Sequence, residues 1–346
     1  MKKICVFTLY EEKAASSRYR AYIFRKEIEK RYDVRWYAFW NNYYIEKCMY
    51  NKKKHIFEIC ILYFVFAIRR IFQLLFIAPK MDVVFIQKDC IPYINRHFLT
   101  KAKKNNVRII YDIDDANYSR PKDNSDTIAS IADVVICGNN TLRDHYSKVN
   151  DNCTILPTIE ETWKYRQFWG DTFEKKIIGW IGSKNTVPNL EIAAEALNLL
   201  ISKHPEVSFR IISDSDGGIT QIIKNSYLCK WGINTYLNDL SEISVGIMPL
   251  QDTEYNRGKC GFKLIQYLNM RKPVVGTGLG VNIDIIKGNG LVANDTEGWV
   301  NALEDLLFKK EIYDNCVEHI DEVFFSEYSY DSVVARLLNI LEGNHC

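Results

Sequence analysis

The feature that most constrains this chain is an alternation of short β-branched and aromatic runs with longer stretches of helical apolar spacing, repeated in two series. The first series is Ile4–Leu9, Val34–Phe39, Asp82–Gln87, Arg108–Tyr111 and Val134–Cys137. The second is Ile177–Ile181, Ser208–Ile212, Val245–Met248, Pro273–Gly276 and Leu291–Val292. The runs are almost continuously apolar, as strands covered on both faces must be, so parallel sheets are expected. Helical stretches fall between them at Ser17–Lys30, Pro188–Lys203, Phe262–Met270 and Glu297–Phe308, with a last one at Asp331–Leu341. Two β-α series predict an α/β chain of two Rossmann-like, doubly wound domains. Their expected extents are 1–170 and 171–325, with a C-terminal segment 326–346 whose helix packs back on the first domain. Ligands of such sheets bind at the carboxyl ends of the strands, here facing the cleft between the domains.

The charge is unevenly spread. The net charge of +2 hides 19 Lys+Arg against 9 Asp+Glu in residues 1–100, and 26 against 34 in the rest. The overall balance does not suggest a nucleic-acid binder, whereas the basic first third suits phosphates, acidic glycans or anionic lipid headgroups. A composition of 47% hydrophobic and 25% charged residues excludes a disordered, collagen-like or coiled-coil chain. Ten cysteines include no C-x-x-C pair, and no histidine pair completes a zinc set, so they read as buried thiols of a reducing compartment. The start, Met1-Lys2-Lys3 and then Ile4 to Tyr10, stops at Glu11-Glu12 and is too short for a secretory leader. It reads as a first strand, and the chain is expected in the cytoplasm. His55, His97, His145, His204, His319 and His345 show no catalytic spacing and read as structural or exposed.

The segment Ile56–Ala78 is apolar but interrupted by Glu58, Arg69, Arg70 and Gln73. Its longest charge-free stretch, Ile59–Ile68, has ten residues, against ~20 for a membrane span. Two readings are open. One is a core helix of the first domain. The other is a helix in a membrane interface, with Lys52-Lys53-Lys54 and Arg69-Arg70 on anionic headgroups, making the protein a peripheral membrane one. The aromatic run Trp36-Tyr37, Trp40 and Tyr43-Tyr44 reads as packing, with sugar stacking or membrane anchoring as the alternative.

Chemistry concentrates between Gly246 and Val292. Gly246-Ile-Met-Pro-Leu250 is followed by Arg257-Gly-Lys-Cys-Gly-Phe-Lys-Leu-Ile-Gln-Tyr267, then Lys272-Pro-Val-Val-Gly276 and Gly280-Val-Asn282. A strand ends near Leu250, and a glycine-bearing loop leads to a helix starting near Phe262. Free N–H groups and the macrodipole make such a helix start an anion site. Gly258 and Gly261 allow close approach of the backbone, Lys259 and Lys263 add charge for a diphosphate, and Gln266 lies near the same face as Lys263.

These pieces resemble the retaining GT-B glycosyltransferases of family 4, the group 1 class, over nearly the whole chain. Ser17-Arg18-Tyr19-Arg20 is similar to the loop after the first strand in a bacterial polysaccharide-synthesis branch. Tyr111-Asp-Ile-Asp-Asp-Ala116 resembles that branch's Asp-x-Asp-Asp element, and Ile131-Ala-Asp-Val-Val-Ile136 with Leu156-Pro157 the close of the first domain. Gly179-Trp-Ile-Gly-Ser183 resembles the opening strand and phosphate loop of the second domain. Pro273-Val-Val, Gly280-Val-Asn282 and Asn289-Gly-Leu291 resemble the close of its donor site.

The resemblance implies a GT-B fold, two Rossmann-like domains facing each other across a cleft. It implies transfer of a sugar from a nucleoside diphosphate sugar, held by the second domain, to a glycan or lipid-linked acceptor, held mainly by the first, with retention and no metal or other cofactor. By position, Gly182, Ser183 and Lys184 would face the diphosphate, Trp231 would precede the base-binding segment, and Gly261, Phe262 and Asn282 would line the donor. Lys259 and Lys263 would clamp the diphosphate and stabilise the leaving group. Asp112 is the expected base; Ser17, Arg18, Arg20, Asp114 and Asp115 would grip acceptor or phosphate. For Arg20 an ion pair with Glu11 or Glu12 on a helix surface is the alternative. The family's two glutamates, separated by seven residues, are replaced by Gly258 and Gln266; Gln266 can still bond a ribose hydroxyl, and Asp252 or Glu254 are the nearest substitutes for the other. That departure keeps two rival readings open: an inactive GT-B homologue serving as a binding subunit, and another nucleotide-sugar enzyme of the same architecture, such as an epimerase.

Overall fold

The computed structural model describes residues 1–94, 103 and 105–343. His97, His345 and Cys346 lie outside the described residues. Within them the chain forms two parallel six-stranded sheets. The first contains β1 (Lys3–Tyr10), β2 (Asp33–Trp40), β3 (Val83–Gln87), β4 (Arg108–Ile113), β5 (Val134–Cys137) and β6 (Cys153–Ile155), in the order β2-β1-β3-β4-β5-β6. The second contains β7 (Ile177–Ile181), β8 (Ser208–Ser213), β9 (Ser226–Lys230), β10 (Val245–Met248), β11 (Val274–Gly276) and β12 (Gly290–Val292), in the order β12-β11-β10-β7-β8-β9. Every pairing is parallel, as the apolar runs require.

The chain divides into two compact units. The first is Met1–Thr158 with Gly258–Cys260 and the segment from Val333; the second is Ile159–Arg257 with Gly261–Ser332. The break falls at 158/159 rather than 170, and the C-terminal segment joins the first unit at 333 rather than 326. In the second unit the helices Glu191–Lys203 and Thr296–Phe308 cover one sheet face through Leu197, Leu200, Trp299 and Leu303, packed with Trp180 and Phe209. The helix Phe262–Asn269 covers the other through Leu264, Tyr267 and Leu268. This is two-sided covering, the arrangement that a parallel sheet needs.

Three expectations need correction. The stretch Ser17–Lys30 is not one helix: Ala15–Arg20 and Arg25–Glu29 flank a 3-10 turn at Tyr22–Phe24. The strands β6 and β9 carry no continuous apolar run. Every residue of β6 is half-buried, and Tyr227, Leu228 and Lys230 of β9 are exposed, so neither of these edge strands has the two-sided burial of the central strands. The third concerns Ile56–Ala78, which is not a core helix. The helix Ile56–Phe72 links β2, at the sheet edge, to β3 and continues through Gln73–Ile77 and Ala78–Lys80. It buries Phe66, Ala67 and Arg70 but leaves Phe57, Ile61, Phe64, Ile68 and Phe72 more than half exposed. Among the described residues Ile56–Lys80 is the one helix long and apolar enough to cross a membrane.

Candidate functional site

In the second unit β7 leads to β8 on one side of the sheet, while β10 leads to β11 on the other, so the strand order reverses between β7 and β10. Ligands of doubly wound sheets bind at such a reversal, outside the carboxyl ends of the strands. A single side chain opens it. The ladder between β7 and β10 holds Val245 opposite Ile178 and Gly246 opposite Gly179, and no further pair. Beyond it the buried Tyr267 hydroxyl accepts from the Ile181 N–H at 2.9 Å and donates to the Ile247 carbonyl at 3.2 Å. One hydroxyl thus satisfies both strands while holding them apart, since a buried N–H and C=O would otherwise demand each other.

The loops at this opening are tied together. Asn189, after β7, accepts from the Gln251 N–H at 3.1 Å, and Asn256 donates to the Gln251 carbonyl at 2.8 Å. The Leu250 N–H donates to the Thr277 hydroxyl at 3.0 Å, joining the ends of β10 and β11. Gly182 donates to the Ile212 carbonyl at 3.1 Å and lies so close to Trp180 that a Cβ there would meet its ring at 2.5 Å. Over that same ring stands the Lys263 ammonium, 5.5 Å from the centroid. Ser183 opens the turn that follows β7, and the Lys184 N–H donates to Asp214 at 2.9 Å.

The helix Phe262–Asn269 starts at the same end of the sheet. Gly261 before it has a φ of +65°, a left-handed geometry that suits glycine. Asn282 is buried; its Nδ2 donates to the Thr277 carbonyl at 3.1 Å, while its Oδ1 has no hydrogen-bond partner among the described residues and would lie 3.8 Å from a Cβ at Gly261. The helix start therefore offers donors beside a buried, unused acceptor, an arrangement suited to an anion carrying hydroxyls. Trp231 follows β9 half-exposed, its ring 6.1 Å from that of Tyr236. Gln266 departs from the ribose role. It is buried and donates from Nε2 to Glu160 at 3.1 Å. Asp252 is engaged too, in a two-bond pair with Arg257 at 2.6 and 2.8 Å.

The first unit gathers a second cluster at the ends of β1, β3 and β4, where its own strand order reverses between β1 and β3. Asp112 is not available as a base. It is fully buried and paired with Arg20, whose Nε donates to Oδ2 at 3.1 Å and whose Nη2 donates to Oδ1. Arg20 also donates to the Leu156 carbonyl at 2.7 Å, so it is neither a phosphate grip nor a surface partner of Glu11 or Glu12. Burial pushes the Asp112 carboxyl up despite the guanidinium beside it. Ser17 is buried as well; its hydroxyl donates to Gln87 at 2.9 Å and accepts from the Tyr10 N–H at 3.1 Å. Arg18 folds back on the carbonyls of Glu12 and Lys13 at 3.0 and 2.9 Å.

Asp115 and Asp114 stay at the site with opposite characters. Burial raises Asp115, but the Lys88 ammonium at 2.7 Å and the charge of Lys259 outweigh it and hold the carboxyl below its usual range. Asp114 is raised by burial and by Asp115 beside it, and its buried Oδ1 has no hydrogen-bond partner among the described residues. Lys259 therefore sits among the first unit's carboxylates, whereas Lys263 stands over Trp180 in the second. The loop carrying Lys259 is fastened by Asn139, which donates to the Gly258 and Lys259 carbonyls at 3.1 and 3.0 Å. A side chain at Gly258 would meet the Ala116 Cβ at 2.4 Å, so the glutamate that the resemblance implies has no room there. Sequence reasoning missed Asn139, Tyr267, Asn189, Thr277, Lys88 and Asp89. Only their places just after strands or on a helix that closes one signal them. Asp89 follows β3 and carries a buried Oδ1 without a partner among the described residues; burial, with Asp123 nearby, lifts its carboxyl to about 7.

Residues 175–309 match the family described as Glycosyl transferases group 1. No curated protein matches the chain. Among solved structures, the Anabaena protein HepE in complex with UDP is 10% identical at a TM-score of 0.67, covering 99% of this chain and 100% of that one. A Listeria monocytogenes protein described as a UDP-N-acetylglucosamine 2-epimerase is 10% identical at 0.61, covering 99% and 96%. Staphylococcus aureus TarM, solved with fondaparinux, alpha-GlcNAc-glycerol and UDP, is 16% identical at 0.56 over 75% of this chain, which spans about half of TarM's length (55%). At these identities the likeness shows the fold alone. The chain has the GT-B architecture of two Rossmann-like units, and the stretch similar to the glycosyl transferases group 1 family spans the opened strand reversal.

Proposed function

We propose that the protein transfers a sugar from a nucleoside diphosphate sugar to a glycan or lipid-linked acceptor, with retention at the anomeric carbon and without a bound metal, in the synthesis of surface polysaccharide. The observation that carries this reading is the strand reversal held open by Tyr267, with Lys263 and the start of the Phe262–Asn269 helix at its mouth. The diphosphate takes the N–H groups of that helix start and the Lys263 charge, which stabilises the leaving group as the glycosidic bond breaks. The unused Asn282 Oδ1 accepts from a donor hydroxyl, and Trp231 lies toward the base. The acceptor's proton passes to the departing diphosphate, so no protein base is required, in keeping with the closed Asp112–Arg20 pair. On the acceptor side, Asp114 and the Lys88–Asp115 pair supply polar contacts.

The test is a panel of UDP-, GDP- and dTDP-sugars, read by thermal stabilisation, slow donor hydrolysis and the recovered sugar. Stabilisation with hydrolysis of one donor supports the transferase. Recovery of an epimerised nucleotide sugar would replace it with an epimerase, which the likeness to the Listeria structure makes the specific rival. Stabilisation without turnover would leave a binding subunit, and no stabilisation by any nucleotide would overturn the reading.

A further inference from the structure

We infer that the Ile56–Lys80 helix is a monotopic membrane anchor, lying in the interface of an anionic bilayer and not crossing it. The inference stands apart from glycosyl transfer, because it rests on a surface of the first unit far along the chain from the Phe262 helix. Phe57, Ile61, Phe64, Ile68, Phe72 and Phe76 follow one another by three or four residues and so share one side of the helix. They are 85, 66, 67, 67, 57 and 52% exposed. Val65, between them, is 55% exposed. From Phe57 to Phe76 this apolar stripe runs about 28 Å, from the ~1.5 Å rise per residue, with Glu58 and Arg69 at its border. Contiguous apolar surface on this scale marks a binding face, unlike the scattered hydrophobic residues of ordinary surfaces.

The opposite side explains why the helix lies down. Arg70 is fully buried and donates to the Tyr37 carbonyl at 2.8 Å, the Cys90 carbonyl at 3.0 Å and Gln73 at 3.1 Å, with its guanidinium 4.4 Å from the Phe7 ring. Arg69 donates to the Ala38 and Phe39 carbonyls at 2.8 and 3.0 Å. Both arginines thereby pin the helix along the edge strand β2. A transmembrane placement would tear these bonds and leave two guanidinium groups in hydrocarbon.

Charge selects the occupant. Lys52, Lys53 and Lys54 are exposed just before the helix, and Lys80 is exposed at its far end. Glu58 is already spent on His55 at 2.9 Å and on the Tyr43 hydroxyl. An apolar stripe with lysines at both ends fits acyl chains below and anionic headgroups around them. A second copy of the same surface would instead bring like charges together.

The experiment is flotation of the intact protein with vesicles of equal parts phosphatidylcholine and phosphatidylglycerol, beside vesicles of phosphatidylcholine alone. The protein is expected to float with the anionic vesicles, at least tenfold more strongly than with the neutral ones, and to be released by alkaline carbonate. Ile61→Asp with Phe64→Asp, both at exposed positions, is expected to abolish flotation while leaving the melting temperature and nucleotide stabilisation unchanged. Lys52→Gln, Lys53→Gln and Lys54→Gln together are expected to weaken flotation about tenfold or more. Flotation that ignores these changes, no flotation at all, or retention through carbonate would overturn the inference. So would a dimer in solution that the double aspartate variant dissociates. Failure of the donor screen would leave this result standing, so the two proposals fail separately.

Discussion

The Asp112–Arg20 pair shows how one residue can have the right address and the wrong role. Sequence places Asp112 at the end of β4, where chemistry is expected, but burial and a guanidinium make it part of the frame. Replacing it with Asn leaves Arg20 buried without its counter-charge. Asp112→Asn is therefore expected to cost about 3–5 kcal/mol of unfolding free energy, as removal of one member of a buried pair does, measured by urea unfolding. If it were the base, turnover would collapse with stability intact. Asp89 gives a pH signature of its own. Its carboxyl rises from the ordinary range to about 7 in the folded chain, so the stability it contributes is complete below pH ~4 and is lost as pH climbs toward ~7. Relative to Asp89→Asn, the native chain should lose about 1.4 kcal/mol per pH unit across that window and nothing more above it. Urea titrations at pH 5, 6, 7 and 8 read this directly. Ser17, Arg20, Asp112, Asp114 and Asp115 were legible as a cluster because their motifs follow strands. Their division into frame and site was not, because it depends on partners such as Gln87 and Leu156, 70 and 136 residues away.

Among elements, the helix Phe262–Asn269 carries the most information, since it docks by Tyr267 and presents Lys263 one turn earlier. Tyr267→Phe removes the shared hydroxyl from Ile181 and Ile247. A loss of about 1–3 kcal/mol is expected for groups left unpaired in the core, seen as a lower melting temperature, with partial recovery when UDP or another binding nucleotide is added. Lys263→Ala should weaken binding of the nucleoside diphosphate far more than that of the nucleoside. Equal losses in calorimetric titrations would remove the lysine from the diphosphate site. The central strands were readable because burial on both faces leaves an apolar run; the edge strands β6 and β9 fell out because an edge strand needs none, whereas the edge strands β2 and β12 were readable only because they carry apolar residues all the same. The helix start was readable from its glycines and lysines. Sequence spacing did not reveal that the chain changes units at Gly261, so that Lys259 and Lys263 have different neighbours, because nothing in an eleven-residue motif records which half of a fold its loop packs against.

At the scale of the molecule the two units are not consecutive pieces of chain. The first is completed by Gly258–Cys260 and by the segment from Val333. The helix Tyr330–Glu342 therefore begins in the second unit and spends its last turns in the first. There Val333, Val334, Leu337, Leu338, Ile340 and Leu341 are buried. Arg108, at the start of β4, donates to the Ile340 carbonyl at 2.6 Å, and Arg336 donates to the Ile155 carbonyl on β6 at 2.5 Å. Removing the chain after Ser332 strips both arginine bonds and six buried apolar side chains from the first unit and takes nothing but the end of a helix from the second. At about 1.5–3 kcal/mol for each buried side chain, the loss matches the whole stability of an ordinary domain. The expected outcome is selective: hydrogen exchange should become fast throughout β1–β6 while β7–β12 keep their protection and nucleotide still protects the loops after β7 and β10. Uniform loss across both sheets would show that the units unfold as one body, and unchanged protection of β4 and β6 would mean that the C-terminal turns add nothing to the sheet they cover.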